Sequence, residues 1–344
     1  MSVTIRDVAK KANVSIGTVS RYLNGYKLRE PNRIRIEEAI KELGFRENFI
    51  AKGLKNNRSM TIGVVLASLT DLFATSVITA AERVLAQVNY SIVVCDFEFS
   101  QEKLGQKLSF LKSRSVDGLI LFPGSCTVSD ELHEYLADSI PVVIVNDDMP
   151  GFDTDKVMID NVNASFRAVE YLIHNNHRDI AIINGDQGTY TGRERYNGYL
   201  EALRTYNIPL RDEYVTYGQF SNRGGYTATK QLLSLKHPPS AIYTTNYYMT
   251  FGSIIAINES KVKIPEDISF IGFDRFDLSD VINPPLTVVE QPTKRLGELA
   301  ASTVLRRLKG DYEGFPVQHS VNTKLIIKNS VRKDKTIESE GRFS

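Results

Sequence analysis

The chain has 344 residues with 42% apolar content, enough for two or three domains with proper cores. Its net charge of +1 hides an asymmetry: residues 1–60 hold 13 Lys and Arg against 6 Asp and Glu, and the other 284 hold 29 against 35. A basic head on a mildly acidic body points to a phosphate-rich partner for the first segment alone.

Two cysteines, Cys95 and Cys126, are too few for a disulfide framework and sit beside apolar, strand-like runs, so they read as buried free thiols. No apolar run approaches the roughly 18 residues that cross a bilayer. The N-terminus lacks a basic-then-apolar signal pattern. The expectation is a cytoplasmic protein in a reducing compartment.

In chain order, residues 4–24 come first. Ile5, Val8, Ala9 and Ala12 fall on one face at helical spacing. Asn13 tolerates the left-handed backbone of a tight turn, and Ser15 is placed to cap a second helix that buries Val19, Tyr22 and Leu23. Ile16, Gly17, Thr18, Ser20, Arg21 and Asn24 are left facing outward, small or polar with one arginine. This is the layout of a helix-turn-helix whose second helix enters a DNA major groove N-terminus first. Two amphipathic helices that merely pack together are the alternative, and the short turn and surrounding charge weigh against it.

A third helix follows, with Pro31 in its first turn, an apolar stripe of Ile34, Ile36, Ala39, Ile40 and Leu43, and a stop at Gly44. Residues 46–60 form a basic joining segment in which Asn48 caps a helical turn over 49–54. That turn falls short of the about 12–15 residues a helix needs alone in water. Gly53 weakens it by a further ~1 kcal/mol relative to alanine, so it orders only against something else.

From Thr61 short apolar strands alternate with amphipathic helices. Strands are expected at 61–67, 91–97, 116–123, 141–146, 179–185, 214–219, 241–245 and 268–273, and helices at 76–88, 164–175, 195–206, 224–235, 251–258 and 294–308. Continuous apolar strands with helical crossovers indicate parallel sheets covered on both faces, and roughly ten strands exceed one comfortable sheet, so two α/β lobes are expected. The polar stretch 332–344 lacks leucine heptads and reads as a disordered tail.

Enzymatic signatures are missing: the chain has no Gly-rich dinucleotide fingerprint, no P-loop and no Gly-x-Ser-x-Gly elbow. His174 and His177 are neighbours without a third ligand, so neither a metal nor another cofactor is expected. The pair Asp147-Asp148 falls in a loop and reads as solvated.

A set of stretches stands out: Thr4-Ile5-Arg6-Asp7-Val8-Ala9, Thr18-Val19-Ser20-Arg21, Leu23-Asn24-Gly25, Val116-Asp117-Gly118-Leu119-Ile120, Asp160-Asn161, Arg193-Glu194-Arg195, Ile264-Pro265-Glu266-Asp267, Gly272-Phe273-Asp274 and Pro284-Pro285-Leu286-Thr287. In order and spacing they are similar to the LacI family of bacterial transcriptional repressors. The resemblance runs from about residue 3 to residue 331.

It implies a helix-turn-helix headpiece (1–45), a hinge helix and linker (46–60) and an effector-binding core (61–344) like a type I periplasmic binding protein. The core has two doubly wound, parallel-sheet lobes, 61–160 with 289–322 and 161–288 with 323–331. The implied partners are a palindromic operator in double-stranded DNA, a small-molecule effector between the lobes and a second copy of the chain. The missing leucine-heptad tail favours a dimer over a tetramer.

On the DNA side the resemblance assigns base edges to Ile16, Gly17 and Arg21, with a phosphate contact as the alternative for Arg21. It gives backbone positioning to Thr4, Ser15, Thr18, Ser20 and Asn24. Leu54 matches the family's minor-groove wedge, flanked by Ala51, Lys52 and Lys55. Asn13, Arg29 and Glu47 depart from the pattern, which bears on local capping and hinge stiffness.

On the effector side Arg195, Phe220, Asn246 and Asp274 match the family's ligand contacts, and Asp71, Phe73 and Asn146 fall near the cleft by the same alignment. Tyr190, Tyr247 and Tyr248 sit in neighbouring loops that could line it. Carboxylate, guanidinium and amide groups beside an aromatic face suit a polyhydroxylated ligand, so a sugar or sugar derivative is expected. Open alternatives remain: an Arg195–Asp274 bridge between the lobes, Phe220 as plain core, a purine-like corepressor, or control by a phosphorylated carrier protein.

Overall fold

A computed structural model describes residues 3–23, 25–45 and 58–333. The chain divides into two compact units between residues 60 and 61.

Among the described residues the first unit holds three helices, α1 (Ile5–Lys11), α2 (Ile16–Leu23) and α3 (Glu30–Leu43). Thr4 starts α1: its backbone N–H and its hydroxyl both donate to the Asp7 carboxylate, at 2.8 and 2.7 Å. Asn13 takes the turn at φ 49°, and Ser15 Oγ accepts the Thr18 N–H at 3.1 Å to open α2. Pro31 lies in the first turn of α3, and Gly44 closes it at φ 60°. Val8, Ala9, Ala12, Val19, Ile36 and Ala39 form the core, with Tyr22, Leu23, Ile40 and Leu43 at its margin. Ile34 departs from its expected place and is 42% exposed. Two residues before Ile36, it lies about 200° around the helix and cannot share that face. The expected hinge turn over 49–54, with Ala51, Lys52, Leu54 and Lys55, and also Asn24, lie outside the described residues.

The second unit holds two six-stranded sheets. In the first, β1 (Thr61–Leu66), β2 (Ser91–Asp96), β3 (Gly118–Leu121), β4 (Val142–Val145), β5 (Asp155–Ile159) and β11 (Gln318–Val321) lie in the order β11-β5-β4-β3-β1-β2, all parallel. In the second, β6 (Ile180–Asn184), β7 (Val215–Tyr217), β8 (Ala241–Thr244), β9 (Ser269–Phe273), β10 (Thr287–Glu290) and β12 (Lys324–Ile326) lie in the order β12-β10-β9-β8-β6-β7. Only β12 there runs antiparallel. β3 and β4 are buried at every position, as strands covered on both faces must be.

On the first lobe α4 (Leu72–Ala86) packs against α11 (Thr293–Leu308), and α5 (Gln101–Ser113) against α6 (Asp130–Ala137). On the second, α7 (Asn161–His174) packs against α8 (Tyr190–Thr205), and α9 (Asn222–Leu233) against α10 (Tyr247–Glu259). The chain crosses between lobes at 160, at 291–292 and at 322–323. Cys95 is buried and Cys126 only half-buried. The Arg332 N–H donates to Ser269 Oγ at 3.0 Å, which attaches that residue to the second lobe rather than to the tail expected from 332.

Three helices begin four or five residues earlier than their periodicity predicts, at Leu72, Tyr190 and Tyr247 rather than at 76, 195 and 251. Polar caps explain the difference. Asp71 accepts the N–H groups of Phe73 and Ala74, Thr189 that of Gly192, and Asn246 that of Met249.

Candidate functional site

The outward face of α2 carries exposed Ile16, Gly17 and Arg21. A Cβ on Gly17 would meet only Ser15 Oγ, at 3.7 Å, so nothing within the headpiece demands glycine there. The Arg21 guanidinium lies 5.6 Å from the Tyr26 ring, a perch that still leaves it exposed. Ser15 and Thr18 share a 2.8 Å hydroxyl contact, and Thr4 is occupied with Asp7.

Between the lobes, at the carboxyl ends of the strands, lies a cleft of about 490 Å³. From the first lobe Asp71, Phe73, Phe122, Asn146 and Asp147 line it; from the second, Arg195, Phe220, Asn246, Tyr247, Tyr248 and Asp274 do. Gln291, at the second crossover, joins them.

Arg195 is 4% exposed and already engaged. Its Nε donates to Asn161 Oδ1 at 2.9 Å, its Nη1 to the Thr245 carbonyl at 2.5 Å, and its guanidinium lies 3.7 Å from the centre of the Phe273 ring. Burial lowers its pKa, and Asp274, Tyr243 and the first-lobe carboxylates oppose that shift. Asp274, at φ 71°, accepts the Tyr247 N–H at 3.1 Å and Gln291 Nε2 at 2.5 Å. Both Arg195 and Asp274 therefore stand on the second lobe, which removes the alternative that they bridge the lobes.

The first lobe faces them with two uncomfortable carboxyls. Burial pushes Asp71 up to about 6, with Asp274 adding to the shift. Burial pushes Asp147 up to about 7. Asp147 is 5% exposed and accepts the Asp148 N–H at 2.8 Å, so the expectation of a solvated loop carboxylate fails for it. Asn146, at φ 52°, gives its Nδ2 to Gln291 Oε1 at 3.4 Å and takes Asn161 Nδ2 at 3.5 Å. A sparse hydrogen-bond chain thus runs along the cleft floor past two of the three crossovers.

Aromatic surface completes the walls. Phe73 meets Phe122 edge-on at 6.5 Å on the first lobe, and Tyr247 meets Phe276 edge-on at 4.5 Å on the second. Phe220, at φ 52°, packs partly on the second lobe's core and lines the cleft as well. Its ring uses the room left by Gly185, where a Cβ would fall 2.0 Å from it. Among the described residues no three His, Cys, Asp or Glu are grouped to hold a metal ion, and no helix is long and apolar enough to cross a membrane.

Comparison with known proteins decides the family. Residues 4–48 match the bacterial regulatory proteins, lacI family, and residues 169–331 match the periplasmic binding protein-like domain. The chain is 35% identical over 332 residues to the HTH-type transcriptional repressor PurR of Serratia proteamaculans, covering 95% of this chain and 96% of that one. The chain belongs to the LacI family.

It is 32% identical to the HTH-type transcriptional repressor CytR of Escherichia coli, again over 332 residues, 96% of this chain and 97% of that one. Among solved structures, the lac repressor dimer bound to operator and the anti-inducer ONPF matches with a TM-score of 0.82 at 26% identity, covering 96% of this chain and 99% of that one. A CelR–cellobiose complex matches with a TM-score of 0.71 at 27% identity over 95% of this chain and 99% of that one. This LacI-family chain is a DNA-binding transcriptional regulator with an effector-binding core, and not an enzyme.

Of the residues expected in the effector site, the structure gathers Asp71, Phe73, Asn146, Arg195, Phe220, Asn246 and Asp274 around the cleft. Tyr190 is the exception. It is the first residue of α8, and its neighbours Thr189 and Thr191 line the cleft instead. Tyr247 and Tyr248 line it from the first turn of α10, not from a loop. Asp147, Phe122 and Gln291 line the cleft although no motif or periodicity marks them for it. Asn161, of the Asp160-Asn161 motif, holds Arg195 Nε.

Proposed function

We propose that this repressor binds a palindromic operator as a homodimer, and that a neutral, hydroxyl-rich effector held between the lobes controls its affinity. The observation that carries the effector class is the charge of the cleft. Asp71, Asp147 and Asp274 surround a single guanidinium whose Nε and Nη1 are already bonded to Asn161 and Thr245. Desolvation already penalises two of those carboxylates, so an anion brought beside them adds repulsion that Arg195 is poorly placed to relieve. Ligand hydroxyls, by contrast, donate to carboxylates and accept from amides. A sugar or sugar derivative fits, its C–H face against Phe73 or Phe220. A planar nucleobase is the second reading, favoured by aromatic rings on both lobes.

The homodimer is supported by an apolar first-lobe edge. Val88 just before β2 and Val94 on it are 42% and 38% exposed, and β2 is the end strand of its sheet. On the headpiece, Ile16, Gly17 and Arg21 are the base-reading candidates. Thr4, Ser15, Thr18, Ser20 and Asn24 position the phosphate backbone. Such a regulator works in the cytoplasm.

A thermal-shift screen of neutral sugars, sugar phosphates, nucleosides and nucleobases on the full chain tests the effector class. A ligand at 100 times its Kd adds about 2.7 kcal/mol to stability. Neutral sugars are expected to raise Tm and their phosphates to leave it unchanged. Response to purines alone overturns the sugar reading.

A further inference from the structure

We propose that Tyr248 is the positioning residue that holds the two lobes closed over the effector. Its hydroxyl donates across the mouth of the cleft to the backbone carbonyl of Thr70. Thr70 belongs to the first lobe, just before α4, and Tyr248 to the second, in the first turn of α10. The proposal rests on the reading of the cleft as the effector site.

Both ends of this clasp are built rigidly. On the acceptor side a tight turn fixes the carbonyl: Thr70 N–H donates to Ser68 Oγ at 3.2 Å, Asp71 N–H to the Ser68 carbonyl at 3.1 Å, and Leu69 N–H to Asp96 Oδ2 at 3.0 Å. On the donor side the Tyr248 ring packs edge-on against Tyr247 at 5.0 Å, and Tyr247 packs on Phe276. Separation of the lobes would break the bond.

The clasp also joins the polar groups that a ligand would touch. Thr70 precedes Asp71, whose carboxylate caps α4. Tyr248 follows Asn246, which caps α10, and Tyr247, whose N–H is held by Asp274. A ligand drawing on Asp71, Asn246 or Asp274 therefore pulls on the two helix ends that Tyr248 fastens together. A side-chain hydroxyl reaching a backbone carbonyl needs no particular residue type at position 70, so the specificity of the clasp resides in Tyr248.

Hydrogen exchange on the full chain, without added ligand, tests this. Tyr248→Phe keeps the ring against Tyr247 and removes only the hydroxyl. Amides at 70–75 on the first lobe and at 248–252 on the second are expected to exchange about 2–10-fold faster, the range of one net hydrogen bond. Tyr247→Phe, which leaves the clasp intact, is expected to leave 70–75 unchanged. Unchanged exchange at 70–75 in Tyr248→Phe overturns the proposal, whatever happens on the second lobe, and so does the same acceleration there in Tyr247→Phe. No ligand enters the measurement, so failure of the clasp and failure of the effector reading are separately visible.

Discussion

Asp147 illustrates how much one buried carboxyl can tell. Its carboxyl is raised to about 7 against an ordinary 3.8, so between those values the folded chain binds a proton that the unfolded chain has released. Stability therefore falls as pH rises through that window, and Asp71, raised to about 6, contributes in the same direction. His177 works oppositely: burial lowers it from 6.5 to about 4, so its share of stability is lost as pH falls through that range. Above pH 6.5 only the carboxyl slope remains. In Asp147→Asn, thermal melts between pH 6.5 and 8 are expected to lose most of the decline shown by the parent chain. An undiminished decline would mean that the carboxyl is solvated after all. The sequence reading missed this residue because Asp147 and Asp148 are chemically identical neighbours. What separates them is where β4 ends, at Val145, and which way the next turns face; residue type carries neither.

At the scale of elements, the helix at Thr293–Leu308 was legible to within a residue, whereas three others had their starts misplaced. Hydrophobic periodicity found α4, α8 and α10 but began each after its first turn, where a side-chain cap rather than the stripe sets the start. Asp71, Thr189 and Asn246 each cap a helix and line the cleft, so the same side chains hide the boundary and mark the site. Two parallel α/β lobes were legible from strands alternating with helices, but the strand order within each sheet was not; the split of β11 and β12 between opposite lobes came from the resemblance alone, since two short strands only two residues apart carry no such signal.

One element junction carries a strong stability prediction. Arg307 on α11 and Asp155 at the start of β5 form a bidentate pair, both bonds 2.8 Å, with side chains 0% and 1% exposed. Asp155 also accepts the Val317 N–H at 2.8 Å, and Arg307 Nη1 donates to the Asp311 carbonyl at 2.7 Å. The pair thus pins the approach to β11. Removing one partner leaves the other charged and buried, so Arg307→Ala is expected to cost about 3–5 kcal/mol in urea unfolding. A loss under about 1 kcal/mol, the range of an exposed pair, would show that water reaches the site.

For the molecule as a whole, the fold class and the helix-turn-helix were legible because they rest on periodicity and capping, which are local. The hinge assignment rests on resemblance, and Leu54 lies outside the described residues. As the proposed minor-groove wedge, Leu54 is expected to account for much of the operator bend. Leu54→Ala should bind a palindromic operator with a central CpG step more weakly and bend it less in a gel-mobility assay. Parent-like affinity and bend would remove the wedge assignment.

The three crossings between lobes have a consequence for biosynthesis. The first lobe's sheet needs β11 and its covering helix needs α11, yet both are encoded after the whole of the second lobe's parallel sheet. During translation the headpiece can fold early, whereas the first lobe waits with β3, β4 and β5 lacking their α11 cover until residue 293 onward has left the ribosome. A repressor of this design acquires its DNA-reading helices well before it acquires the cleft that governs them.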